Sequence, residues 1–493
     1  MKCKGNAVQL TRDSAGQPWR ARPREILSRI VRETEPPTDT LRRITDPDRS
    51  EHDDAYDARV GEVLDLAGSI GAILMASGTP ATATMDQVTA IAGAYGIERC
   101  EVDVINTTIH VSVYRGPTAP PASTLHIVQS RSMDFSRLAA VDRLIGRIRA
   151  GQTTPSQARD ELDAIITAPH PYKRWIATLA WGALAFATAG TLGASLLAGL
   201  VSALSAMTID RVNRRLNRHG LPFFFQYAVG GAVATAPPLV LYWLTPKLGF
   251  QFEPTVAIAA GLVVLLAGLS LVGSVGDVIT GAPVTAAGRF FELVMMTGAT
   301  IAGVALVLHL ANRFGAPFVA ISADAPPALA ELPARVAFGA ASAAAYAVAC
   351  YAERSAAMAA AFGGAAGTIA FLLAQGAGLG AVVASFVAAV PIGLVGRLME
   401  RRNLAPPLVV SIAGIVPLLP GLALLHGIYA ILNDQHAVGF ASVLGAFAVG
   451  TALAAGVTLG EWSSWKVRRR RLQVRRRARG TRLAGHAALS SAD

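Results

Sequence analysis

Apolar and polar positions change rhythm twice along this chain. From Val60, the residues Val63, Leu64, Ala67, Ile70 and Leu74 recur at three- and four-residue spacing, which predicts a helix stopped by Gly78. A second stripe, Met85, Val88, Ile91 and Ala92, predicts a helix closed by Gly96, with Thr84 and Gln87 at capping-box spacing. Between 100 and 114 the period falls to two. Ile109, Val111 and Val113 then face one way and His110, Ser112 and Tyr114 the other, a strand pair turning around Asn106-Thr107-Thr108, with "STLHIVQSR" as a third strand. Helices over 134–150 and 155–167 complete a soluble α+β domain spanning 58–170.

The second change comes at Trp175. From there to residue 460, charged residues retreat into short clusters between apolar runs of roughly 17 to 25 residues, the length that crosses hydrocarbon. Ten spans fit: 175–190, 192–209, 222–244, 254–274, 290–311, 335–351, 356–373, 376–395, 407–431 and 438–460. Composition agrees, with 52% hydrophobic residues, 16% charged and a mean hydropathy of +0.43. Residues 1–57 are polar and rich in Pro, Asp and Arg, the composition of a disordered segment, and hold no apolar core of a secretory signal. The α+β domain is therefore expected in the cytoplasm.

Charge orients the spans. With ten crossings the connections on the cytoplasmic side carry 19 Lys and Arg, tail included, against Lys247 and Arg313 outside and Arg335 at a span's edge. That places both termini in the cytoplasm of a multi-pass cell-membrane protein. The net charge of +11 comes largely from the tail, 461–493, with "KVRRRRLQVRRRARGTR". Directly after a span, such a tail is an anchor on anionic lipid rather than a nucleic-acid site. Cys3, Cys100 and Cys350 stand singly, without metal-ligand or disulfide spacing, and nothing calls for a metal or a cofactor.

A duplication lies inside the apolar part. At a shift of 153 residues, "GLVVLLAGLSLV" from Gly261 lies on "GIVPLLPGLALL" from Gly414; Pro254 meets Pro407, Gly268 meets Gly421, and "AGV" at 302–304 meets "AGV" at 455–457. This divides the spans into two five-span units, 171–311 and 334–460. Because five is odd, the second enters from the opposite side, giving the inverted repeat common among secondary transporters. Pro417, Pro420 and Gly421 interrupt one span, and Gly268 the matching one. Broken helices of this kind expose carbonyls to a substrate near the midplane.

A carrier of a zwitterion needs groups for an ammonium, a carboxylate and a proton, and few ionisable residues lie near the spans. "GDVITGAPVTAAGRFFE" offers Asp277, Arg289 and Glu292, and "YAERS" offers Glu353 and Arg354. Surface charge at loops is the simpler reading of all five. In the α+β domain, His110, His126, Asp134 and Asp142 allow a histidine-carboxylate enzyme site to be imagined, but solvent faces of amphipathic elements account for them, and GxSxG, HExxH and phosphate-loop patterns are absent.

Taken in order, "MASGTPATATM", "AGAYGIERCEVDVINTTIHVS", "RSMDFSRLAAVDRL", "PHPYKRW", "GLPFFFQYAVGG", "GDVITGAPVTAAGRFFE" and the paired "LLAG" and "VPLLPG" resemble the threonine/serine exporter family. The likeness covers roughly 58–465 and is greatest to the actinobacterial branch, in which one chain carries both halves. It implies efflux of a small amino acid, threonine or serine, driven by protons through alternating access. A related two-subunit family splits the same ten spans and looks like an organic-acid exporter, so a dicarboxylate stays open as substrate, as does a membrane-anchored enzyme. Other branches carry Arg-Val-Glu after the first Ser-Gly; "TPATATMDQ" does not. A homo-oligomer is compatible with all of this.

Overall fold

The computed structural model describes residues 51–489 apart from 98, 115–120, 129–132, 249–251, 253, 266, 315–331, 403, 420–422, 424–426, 428–429 and 432–433. The segment 1–57, expected to be disordered, lies up to residue 50 outside the described residues; residues 59–493 form one compact unit. Side chains beyond 463 lie outside the description.

The α+β region opens with α1, Glu51–Ala76, and α2, Ala81–Ala94, joined by a turn in which Gly78 takes φ +91°, a left-handed conformation open to glycine. Strands β1, Cys100–Ile105, β2, Thr108–Val113, and β3, Ala122–Ile127, form one antiparallel sheet with β2 in the middle. Val102 faces Val111, and Val111 faces Thr124. The period-two pattern holds: Ile109, Val111 and Val113 are buried while His110 is exposed. Helices α3, Phe135–Arg149, and α4, Pro155–Thr167, come next, the latter with a capping box between Thr154 and Gln157. Val63, Ile70, Val88, Ile91, Ile109 and Leu144 sit together in the core.

One boundary differs from the sequence pattern. Helix α2 starts at Ala81, already wound when it reaches Thr84, whose hydroxyl donates back to Pro80 O at 3.0 Å instead of capping. Pro80 occupies the N-cap without a side-chain hydrogen bond, so the cap must come from elsewhere.

The remainder is helical: α5, Arg174–Thr191; α6, Leu196–Arg218; α7, Phe223–Leu248; α8, Pro254–Leu262; α9, Ala267–Thr280; α10, Pro283–Arg313; α11, Leu332–Ala349; α12, Arg354–Gly376; α13, Ala381–Arg401; α14, Pro407–Ile415; and α15, His436–Leu489. Among the described residues six helices are long and apolar enough to cross a membrane: Phe223–Thr245, Pro283–Arg313, Leu332–Ala349, Arg354–Gly376, Ala381–Arg401 and His436–Ser463. The run 254–274 is not one helix. It divides into α8, a 3-10 turn at Val263–Leu265, and α9. Helix α14 passes into a 3-10 turn at Val416–Leu418 in the same way, 153 residues later.

Other positions repeat at fixed offsets. The first residues of α5, α6 and α7 precede those of α11, α12 and α13 by 158 residues each, and α7 has 26 residues against 21 in α13, which brings the offset to 153 for α8 and α14. Gly303 lies against the carbonyl of Ala228 and Gly456 against that of Phe386, in both cases where a Cβ would overlap backbone. Gly261 approaches Ala234 and Ser205; Gly414 approaches Ile392 and Gly363. Each pair of neighbours is again 158 apart.

Candidate functional site

Two of the five charges singled out by sequence meet, and they do so where the α+β region rests on the helices. Asp277 near the end of α9 is fully buried, and Arg289 in the second turn of α10 is nearly so. Asp277 Oδ2 lies 2.8 Å from Arg289 Nη1, and Oδ1 accepts the Ala81 N–H at 2.9 Å. Arg289 Nη2 donates to Thr79 O at 3.3 Å. The carboxylate thus supplies the cap that Pro80 lacks, opposite the positive end of α2. Gly281, at φ +100°, turns the chain between α9 and α10 and so brings the two side chains face to face. A second tie lies beside it: Thr285 Oγ1 accepts the Asn106 N–H at 3.1 Å and donates to Val104 O at 3.0 Å, fixing the β1–β2 turn on α10. Asn106 there takes φ +54°. Glu292, partly buried one turn on, lies within electrostatic reach of Tyr227 on α7.

The other two charges separate. Glu353 is bidentate with Arg143 of α3, at 2.8 and 3.2 Å, whereas Arg354 is exposed at the start of α12. Nearby, the Phe135 N–H donates to Cys350 O at 2.9 Å. Asp134 caps α3 through the N–H groups of Ser136 and Arg137, and its Oδ2 lies 3.0 Å from His170 Nδ1. The His170 ring stacks on Tyr351 at 4.3 Å. His126 pairs instead with Asp65 at 3.5 Å, and His110 points outward, so the imagined histidine-carboxylate site is not assembled. Among the described residues no cluster of three His, Cys, Asp or Glu could hold a metal.

A cleft of about 1190 Å³ separates α3 from the α13–α14 corner, with Asp142 and Arg143 on one wall and Arg397, Glu400 and Arg401 on the other. Asp142 has a solvent-accessible side chain, yet partial desolvation inside the cleft, and next the Glu400 carboxylate, raise its pKa. Arg397 Nη1 holds Glu400 at 2.9 Å and is in electrostatic contact with Glu461 of α15. Glu461 accepts the hydroxyl of Ser411 at 2.8 Å, little more than a turn of α14 before that helix breaks. The sequence pattern joins Glu461 to the basic tail; a carboxylate in the last turn of an apolar span is the signal that would have set it apart.

The interruptions are partly described. Pro417 lies within the 3-10 turn Val416–Leu418, and Gly268 is the second residue of α9; Pro420 and Gly421 lie outside the described residues. The first break has Val264 where the second has Pro417.

Residues 65–311 match a family model described as "Putative threonine/serine exporter", and residues 335–462 one described as "Threonine/Serine exporter, ThrE". The chain is 42% identical to the "Threonine/serine exporter" of Corynebacterium glutamicum over 84% of each chain. It is 36% identical to the "Probable threonine/serine exporter" of Mycobacterium tuberculosis, over 82% of this chain and 77% of that one. No solved structure matches it.

Proposed function

This chain belongs to the threonine/serine exporter family, and we propose that its export of threonine and serine from the cytoplasm runs against their gradients and is driven by protons. It is a multi-pass membrane protein of a transporter family rather than an enzyme. The similarity to a curated exporter across most of the chain carries the substrate class.

Ten crossings in two inverted five-span units, 171–311 and 334–460, are our reading of the helices. The recurrence of the 3-10 break after 153 residues supports it. So does the choice of corners that the α+β region faces among the described residues: it bonds to α9–α10 and α11–α12 and lines a cleft with α13–α14, alternate corners along the chain. If residues 254–280 make one crossing and residues 407–431 another, those three corners share one face, the face of the basic clusters. That face is then cytoplasmic, with residues 58–170, both termini and the tail 461–493 on the same side.

In this mechanism the two breaks, at Val263–Leu265 just before Gly268 and at Pro417 with Pro420 and Gly421, present freed carbonyls to the substrate's ammonium and hydroxyl groups. Glu292 and Glu461 are carboxylates placed to exchange a proton at the cytoplasmic end of the bundle. Asp277 with Arg289, and Glu353 with Arg143, hold the α+β region to the first and second units in turn. Arg354, exposed at the surface, meets arriving carboxylates.

The test uses cells lacking or overproducing the chain, loaded with a threonine-containing peptide. Overproduction should raise the export rate, and an uncoupler should remove the increment. Equal rates in the two strains would end the amino-acid reading; an increment insensitive to the uncoupler would end the proton coupling alone.

A further inference from the structure

Where α5 begins and α6 ends, Arg174, Arg211, Arg214, Arg215 and Arg218 line a pocket of about 790 Å³ together with Trp175 and His219. Among the described residues a single carboxylate is paired with these five guanidinium groups. Asp210 binds Arg214, with Nη2 2.9 Å from Oδ2 and Nε 3.0 Å from Oδ1, and accepts the Thr178 hydroxyl at 2.7 Å. Arg211 Nε donates to Thr178 Oγ1 at 3.4 Å. Among the described residues no carboxylate lies within ion-pair distance of Arg174, Arg211, Arg215 or Arg218. Four like charges converging on one pocket repel unless an anion joins them.

The surface below the pocket says which kind of anion fits. Arg211, Arg215 and Arg218 share one face of α6, and the same face further up the helix carries Leu204, Leu200 and Leu197, all exposed. On α5, Trp175 and Leu179 are one turn apart and about half exposed. The two helices run in opposite directions, since Thr178 near the start of one bonds Asp210 near the end of the other. Both apolar stripes therefore leave the pocket toward the same side. Cations at the rim, an exposed tryptophan beside them and apolar stripes beneath match an amphiphile with an anionic head, as basic pockets between membrane helices do for acidic lipids.

We propose that this pocket binds the phosphate headgroup of an anionic phospholipid whose acyl chains lie along Leu179 of α5 and Leu200 and Leu204 of α6. The site is separate from the basic tail and does not depend on the transport reading. A soluble phosphate would use the arginines but not the stripes.

The experiment measures the thermal unfolding midpoint of the full-length protein in detergent with added phosphatidylglycerol, phosphatidylcholine or inorganic phosphate. Phosphatidylglycerol should raise the midpoint well above the other two. In Arg211→Gln with Arg215→Gln and Arg218→Gln the increment should vanish, while a chain carrying Arg468→Gln, Arg469→Gln, Arg470→Gln and Arg471→Gln keeps it. An undiminished increment in the triple variant overturns the site, as does loss of the increment in the tail variant alone. Equal shifts with inorganic phosphate would overturn the lipid assignment. Should the triple variant not yield folded protein, Arg215→Gln and Arg218→Gln are measured singly; each should reduce the increment, and two unchanged increments would refute the proposal.

Discussion

The helices α5–α10 and α11–α15 share their punctuation but not their polar chemistry. Breaks, close-packed glycines and helix starts recur at 153 or 158 residues, whereas the charges do not. At the places matching Asp277 and Arg289 the second set has Ala430 and Ser442; at those matching Ser411 and Glu461 the first has Ile258 and Leu308. Helix positions thus recur, and among the described residues neither charged arrangement does. The difference has a physical basis. A glycine at a helix crossing is required by backbone geometry, which both halves share, but a buried charge costs several kcal/mol unless paired and is kept only where something uses it.

The severest way to break this comparison is Gly303→Leu or Gly456→Leu. Each should cost more than the roughly 1–3 kcal/mol of ordinary overpacking, because the obstacle is a carbonyl of the facing helix. The yield of monodisperse protein should collapse for both; a collapse confined to one half would undo the equivalence. Next, Asp277→Ala removes the carboxylate paired with the Arg289 guanidinium and should cost about 3–5 kcal/mol, read as a fall in the unfolding midpoint and faster proteolysis of the α+β region. Changing Arg289→Met in the same chain should return part of that loss, and no recovery would show that the helix cap rather than the ion pair dominates.

A smaller effect is expected from Pro417→Ala. The first break forms with Val264 at the matching place, so removing this proline should leave the second break intact and export near wild type. Export lost by this change alone would return the break to proline. The smallest effect concerns pH. Because the Asp142 pKa is raised from 3.8, the folded protein holds that proton more tightly than the unfolded chain, and stability falls as pH rises from 3.8 through the folded value. Asp142→Asn should therefore unfold slightly later than wild type at neutral pH and converge with it below pH 3.8. A constant offset at all pH values would assign the effect to packing.

The sequence pattern made the α+β region legible almost element by element, because alternation over 109–114 and the glycine stops at 78 and 96 are local signals. It misplaced the start of α2, since the group capping that helix is 196 residues away. The same distance hid the partners of Asp277 and Arg289: their residue types mark them as unusual near a span, but only folding brings Thr79 and Ala81 beside them. The broken helices were legible from prolines in the second unit. In the first, the 153-residue shift points to an interruption at Gly268, but the 3-10 turn lies a few residues earlier, over Val263–Leu265, where no helix breaker marks it.

The long-range cap of α2 also sets an order of events during synthesis. A ribosome adding roughly 5–20 residues per second completes Ala81 some 10 to 40 seconds before it reaches Asp277. Through that interval the first N–H groups of α2 face water, and the β1–β2 turn waits for Thr285. The amino-terminal region emerges first, yet it closes these hydrogen bonds only after α9 and α10, which receive it, have been made.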